Sequence, residues 1–362
     1  MSGWALEIDR ADITRAWLTD VEAPALAEGD AEFALDLAAL TANNVTYAAL
    51  GAPTPFLGKD AGYWDFFAER HAPGRVPVWG FATVTRSSAV GIAEGDRFYG
   101  YWPLASHAVM QPGRVDGVGF TEVSARRAKL PALYNSYQRI AALDGFAGSD
   151  ERLWPVWRPL YITGWLIADQ LIDEGDHGAD AVLVTAASSK TALAFAHAMQ
   201  ARDGDRPLLV ALTSPRSRAF VAETGLYDAV VTYDAIDGTL GDKAVLVDFA
   251  NDGSVVAAVR AAFGERLVFD LVVGFTHWDA TPVAAGVQRS GFFAPARLAK
   301  RNADWGGATV RARLAEAWDG FLAVAPSLVA FDERAGADAA KQAWSDMVSD
   351  RADPRRAILI RP

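Results

Sequence analysis

Residues 182–196 read VLVTAASSKTALAFA: an apolar run, a turn of small residues, then an alanine-rich stretch with helical spacing. Three readings compete for it: a phosphate-binding loop, a dinucleotide turn, or a plain strand and helix. A Walker-type loop needs glycine at the places of Val184 and Ser189, ahead of Lys190 and Thr191, because its backbone takes angles closed to valine. Neither glycine is there, which sets the nucleoside-triphosphate reading aside. A dinucleotide turn needs a tight bend, a close backbone approach to a pyrophosphate, and a helix whose first amides face it. In that register Ala186, Ser189 and Ala192 occupy the three glycine places. Alanine is tolerable at the first and third, whereas serine at the second narrows the site. The Ser189 hydroxyl can donate to a phosphate, and Lys190 sets a positive charge at the helix start. Ser188 and Thr191 complete the cofactor-binding candidates in this turn. On this stretch alone, the plain alternative of a capped helix with a solvated Lys190 stays open.

The next apolar run, PLLVALTSPRSRAF (residues 207–220), ends at Thr213 and Ser214 with no acidic residue. An NAD enzyme carries Asp or Glu near this place to hold the ribose diol. Here Arg216 and Arg218 follow instead. Hydroxyls and guanidinium groups suit a 2′-phosphate, so NADP(H) is expected over NAD(H). The competing view is that the two arginines are ordinary surface charges at a helix start.

The chain around these motifs has 362 residues, 51% of them hydrophobic, enough for two domains with their own cores. Its net charge of -11 disfavours a nonspecific grip on nucleic acid or anionic membrane. No cysteine is present, which removes disulfides, thiolate zinc sites and a cysteine nucleophile together. No segment approaches the roughly 18 uninterrupted apolar residues of a membrane span, so a soluble cytoplasmic protein is expected. From Glu32 to about Pro112, short alternating runs between Gly, Pro and Asp turns read as mostly β. Beyond about Ala147, near-continuous Val, Leu and Ala runs alternate with helical stretches. That alternation implies a doubly wound α/β domain with a parallel sheet covered on both faces.

With these segments in order, the chain resembles the medium-chain dehydrogenase/reductase superfamily. LDLAALTANNVTYAALG is similar to the superfamily's early segment, GIAEGDRFYGYW to its GDRV-type turn and strand, VLVTAASSKTALAFA to its cofactor fingerprint, and RRAILIRP to its closing strand. RPLYITGWLIADQL, VGFTHWD and FFAPARLAKRNADWG look like a divergent, zinc-independent, quinone-oxidoreductase-like branch of the kind grouped as domains of unknown function. The resemblance implies a GroES-like β domain over residues 1–147, completed by 292–362. It also implies a Rossmann domain over 148–291 and a cleft where the nicotinamide meets substrate. Zinc-dependent members carry a Cys ligand and a GHE motif; the matching VPVWGFA, Val76 to Ala82, has neither His nor Glu, so no metal is expected.

Without zinc, hydride transfer needs hydrogen-bond donors to stabilise the substrate oxygen. By the resemblance, Asn43, Asn44, Thr46 and Tyr47 of TANNVTY are the catalytic candidates, with Tyr47 as proton donor and the Asn amides holding an oxygen or the carboxamide. A turn-shaping role for Asn43 and Asn44 is the alternative. Thr163 matches a threonine placed near the nicotinamide. His277 and Trp278 follow the strand DLVVGFT at the carboxyl end of a parallel strand, where such sheets bind ligands, and are read as a catalytic and a substrate residue. Tyr134 and Tyr137 of LYNSYQR are substrate candidates, although on a helix they and Arg139 do not share a face. Lys300 and Arg301 reach either cofactor phosphates or a domain interface.

These readings lead to an NADP(H)-dependent, zinc-independent oxidoreductase acting on a carbonyl or an activated C=C bond of a small-molecule substrate, one that is bulky or aromatic if some of the twelve tryptophans line the cleft. The rival is a non-catalytic dinucleotide-binding or interaction protein on the same fold; a Rossmann-type methyltransferase sits badly with the β-rich first half. A homodimer is expected, with RLVFDLVVGF (residues 266–275) at the sheet edge pairing with its copy.

Overall fold

Strands such as Ala181–Val184 and Ala244–Asp248 have every residue buried, the pattern of a parallel sheet covered on both faces. In the computed structural model, which describes residues 3–22, 25–54, 57, 61–69, 71–273, 288–349 and 353–362, the chain divides into two units. One comprises Met1–Val156 and Ala330–Pro362, the other Trp157–Val329.

The second unit holds a six-stranded, all-parallel sheet. Its spatial order is Ala229–Thr232, Leu208–Thr213, Ala181–Val184, Ala244–Asp248, Leu267–Val272 and Arg289–Gly291. Numbered along the chain this is 3-2-1-4-5-6, the doubly wound order of a dinucleotide-binding domain. Val256, Val259 and Phe263 of the helix Gly253–Phe263 pack on Leu183, Leu212 and Leu246 of the sheet. Asp252 caps that helix, accepting from the Ser254 amide at 2.9 Å. Gly164, in the helix Leu153–Asp173, has no room for a side chain: a Cβ there would stand 2.5 Å from the Phe195 amide of the helix Lys190–Gln200.

Two expectations are corrected in this unit. The strand Leu267–Val272 is not at the sheet edge; it lies between Ala244–Asp248 and Arg289–Gly291, the latter pairing with its second half, Asp270–Val272. The helices Ala294–Trp305 and Gly307–Leu322 belong here and not with the closing segment of the first unit, which begins at Ala330. Buried Arg297 and Arg301 tie the first helix to Asp169, and Phe321 of the second stacks on Tyr161 at 4.5 Å. Lys300 pairs with Asp173 and Asp304, so Lys300 and Arg301 hold helices together.

The first unit is built on a nine-stranded sheet. Its central strands, Ala31–Leu40, Pro77–Ser87 and Arg97–Pro103, run antiparallel, and the closing strand Arg356–Arg361 joins the free side of Ala31–Leu40 through Ile358 to Ile360. The core is aromatic: Phe33 meets Trp102 at 5.0 Å, and Phe120 stacks on Tyr137 at 4.7 Å. Gly100 makes room for that tyrosine, since a Cβ would lie 2.2 Å from its ring. LYNSYQR does not form a helix; a short 3-10 turn, Ala132–Asn135, leads into the strand Ser136–Arg139. Between two strands, where a turn is the alternative reading, TANNVTYAA forms the helix Ala42–Ala49. Among the described residues, no helix is long and apolar enough to cross a membrane.

Candidate active site

In the second unit, the stretch Val182–Ala196 is a strand, a turn and a helix in the expected places. Ala186 adopts φ +43°, the left-handed conformation that makes glycine the usual residue at the first place of such a turn. Ser189 is the helix N-cap, its hydroxyl accepting from the Ala192 amide at 3.4 Å, and Ala192 is fully buried where the helix packs. Ser188, Lys190 and Thr191 are half-buried around the helix start. Two tyrosines that sequence reasoning missed brace the turn: the Ala186 amide donates to the Tyr233 hydroxyl at 3.0 Å, and the Tyr227 hydroxyl donates to the Ala187 carbonyl at 2.9 Å.

Thr213 is buried at the end of its strand, and the Ser214 hydroxyl points to that of Ser217 at 3.4 Å. Arg216 and Arg218 are exposed, and among the described residues their side chains have no hydrogen-bond or ion-pair partner. No carboxylate stands at this strand end. Two strands away, Asp248 is fully buried, and its Oδ1 accepts from the Thr185 hydroxyl at 2.7 Å and the Asn251 amide at 2.9 Å. Burial raises its pKa, with Thr185 and the backbone amides opposing. Thr163 spends its hydroxyl on the Pro159 carbonyl one turn back, at 2.9 Å. His277 and Trp278 lie outside the described residues.

In the first unit, the helix Ala42–Ala49 brings Asn43 and Tyr47, four residues apart, to one face. Asn43 Nδ2 donates to the Tyr47 hydroxyl oxygen at 2.6 Å, and Trp79 Nε1 donates to the same oxygen at 3.2 Å. Tyr63, Tyr101 and Tyr134 surround the Tyr47 ring, with centroids 4.6, 5.4 and 6.4 Å away. Burial pushes the Tyr47 phenol well above its usual range. Thr46 is half-buried beside it. Asn44 is different: its Oδ1 accepts from the Thr41 amide and its Nδ2 donates to the Pro77 carbonyl, both at 2.7 Å. It anchors the helix start, the shaping role weighed for it above.

The two tyrosines of LYNSYQR part company. Tyr134 joins the wall around Tyr47, its hydroxyl 3.2 Å from that of Tyr63. Tyr137 points away: its hydroxyl accepts from Arg127 at 2.9 Å and donates to the Tyr101 carbonyl. Arg127 is fully buried and also pairs with Glu122. Tyr137 is thus a brace of the core, and its reading as a substrate residue is corrected on that ground.

A family model described as "Protein of unknown function (DUF2855)" matches residues 38–353. The chain belongs to the DUF2855 family. No curated protein matches it. Solved structures resemble it over essentially their whole length at low identity. The NADPH complex of CurA from Vibrio vulnificus is 13% identical with a TM-score of 0.60, covering 99% of this chain and 98% of that one. Mycobacterial Rv1454c complexed with NADPH is 13% identical with a TM-score of 0.61, covering 100% of both chains. A mutant form of enoyl thioester reductase from Candida tropicalis is 13% identical with a TM-score of 0.60, again covering 100% of both. This DUF2855 member therefore shares the fold of these structures, a GroES-like unit plus a Rossmann unit.

Proposed function

We propose that this DUF2855 protein is an NADP(H)-dependent oxidoreductase that reduces a carbonyl or a conjugated C=C bond, with Tyr47 as proton donor. The observation that carries the reading is the second strand end, where Thr213, Ser214 and two arginines with no partner among the described residues stand in place of a ribose-binding carboxylate. The donor set fits the cofactor. Ser188, Ser189 and the start of the helix Lys190–Gln200 would hold the pyrophosphate, and Ser214, Arg216 and Arg218 the 2′-phosphate. Ala186 supports the fit, because its left-handed backbone keeps the turn in the shape that glycine ordinarily supplies.

When bound, the nicotinamide supplies or accepts a hydride. Reduction of a carbonyl or enone also consumes a proton, which Tyr47 provides and regains from water. Its oxygen accepts from Asn43 and Trp79, so its own hydrogen is left to donate. Because burial raises the phenol above its usual value, Tyr47 stays protonated through neutral pH. The aromatic wall of Tyr63, Trp79 and Tyr134 favours a flat, largely apolar substrate.

The test is NADPH consumption over a panel of enones, aldehydes and quinones, with NADPH affinity measured alongside. Tyr47→Phe is expected to slow turnover by about 10²- to 10⁴-fold and leave cofactor affinity unchanged. Equal loss of both, or loss of neither, refutes Tyr47 as donor. Tight NADPH binding without turnover of any compound would favour the non-catalytic rival.

A further inference from the structure

Two donors reach the Tyr47 oxygen, and a third hydroxyl belongs to a ring packed against the Tyr47 ring. Asn43 and Trp79 fill both lone pairs of the neutral phenol. The third is Tyr101, on the strand Arg97–Pro103, whose ring meets that of Tyr47 edge-on at 90°. Tyr101 is fully buried, and its hydroxyl has no hydrogen-bond partner among the described residues. Its backbone carbonyl is occupied by the Tyr137 hydroxyl, which fixes the strand there. Buried hydroxyls are nearly always paired, so a lone one beside a proposed proton donor calls for a role.

We propose that Asn43, Trp79 and Tyr101 form a cradle for the phenolate of Tyr47, with Trp79 and Tyr101 acting as positioning residues for the proton transfer. Loss of the proton gives the Tyr47 oxygen a further lone pair and a full charge, and the Tyr101 hydroxyl supplies the hydrogen bond that the neutral phenol has no capacity to accept. The resting structure keeps that donor waiting, which removes the need to reorganise when charge develops. Charge balance follows the same direction: burial and Tyr134 raise the Tyr47 phenol, while Trp79, Asn43 and Tyr101 favour its ionised form. Tyr101 is itself pushed well up, by burial first, and so remains a donor. This inference rests on the reading of Tyr47 as proton donor, yet it is testable apart from catalysis.

A ring-fluorinated tyrosine, which ionises nearer neutrality, is placed at position 47 of the full chain and titrated by fluorine NMR without cofactor. Trp79→Phe and Tyr101→Phe are each expected to raise the midpoint by about one to two pH units, the worth of a hydrogen bond to a charged group. Tyr99→Phe is the control: its hydroxyl, on the same wall, donates to the Trp154 carbonyl, so the midpoint stays put. Tyr101→Phe removes a single oxygen that has no partner, so a folding defect is not expected, and a melting curve checks it. Midpoints that move no further than in the control, or that fall, overturn the cradle. If the midpoints rise while Tyr47→Phe turns over at the parent rate, the cradle stands and the proton-donor reading falls. If turnover collapses in Tyr47→Phe but the midpoints do not move, the reverse holds.

Discussion

Ala186 shows how a glycine-poor turn keeps its shape. At φ +43° an L-residue costs about 1–2 kcal/mol relative to a right-handed conformation. The Tyr233 hydroxyl on its amide and the Tyr227 hydroxyl on the next carbonyl hold the strained backbone in place. Glycine would relieve the strain but lose about 0.5–1 kcal/mol of unfolded-chain entropy. Ala186→Gly is therefore expected to stabilise the protein by up to about 1 kcal/mol in urea unfolding. A loss of similar size would mean that Ala186 has ordinary angles. The turn itself was legible because its residue types match what a dinucleotide turn calls for: small at the bend, hydroxyl and cation at the helix start. The bracing tyrosines were not, because a phenol reaching back across 47 and 40 positions leaves no local pattern.

At the scale of elements, Asp169 is the pin of the second unit's helices. It accepts from Arg297 Nε at 2.6 Å and Arg301 Nε at 2.8 Å, all three side chains being largely buried. Asp169→Asn leaves two guanidinium groups short of a countercharge and is expected to cost about 3 kcal/mol or more by urea unfolding. A cost below about 1 kcal/mol would mean that the cluster is solvated, as surface pairs are. Asp173, held down at about 2 chiefly by Arg301, adds a pH dependence. Its stabilising contribution is complete above its unperturbed value and is lost as pH falls from about 4 toward 2. Melting temperature should therefore fall over that window, less steeply in Asp173→Asn. The parallel strands of this unit were legible because burial on both faces writes unbroken apolar runs. The helix Ala42–Ala49 was not, since Thr, Asn, Asn and β-branched residues read locally as turn and strand, and helical structure there is enforced by tertiary burial of Val45, Tyr47 and Ala48. The boundary near Ala330 was hidden for the same reason: pairs 128 and 132 residues apart decide which unit the helix Ala294–Trp305 joins.

Over the whole molecule, a net charge of -11 repels a polyanionic cofactor at long range. On the proposed reading, affinity for NADPH comes from local donors, and the preference over NADH from Arg216 and Arg218 in particular. Calorimetric titration of NADPH and NADH into the full chain and into the Arg216→Ala/Arg218→Ala double variant tests this most directly. NADPH is predicted to bind the parent at least about 10-fold more tightly than NADH, the worth of one charge-assisted hydrogen bond, and the gap is predicted to close in the double variant. Absence of binding by either nucleotide at millimolar concentration, or equal affinity for both in the parent chain, would contradict the account.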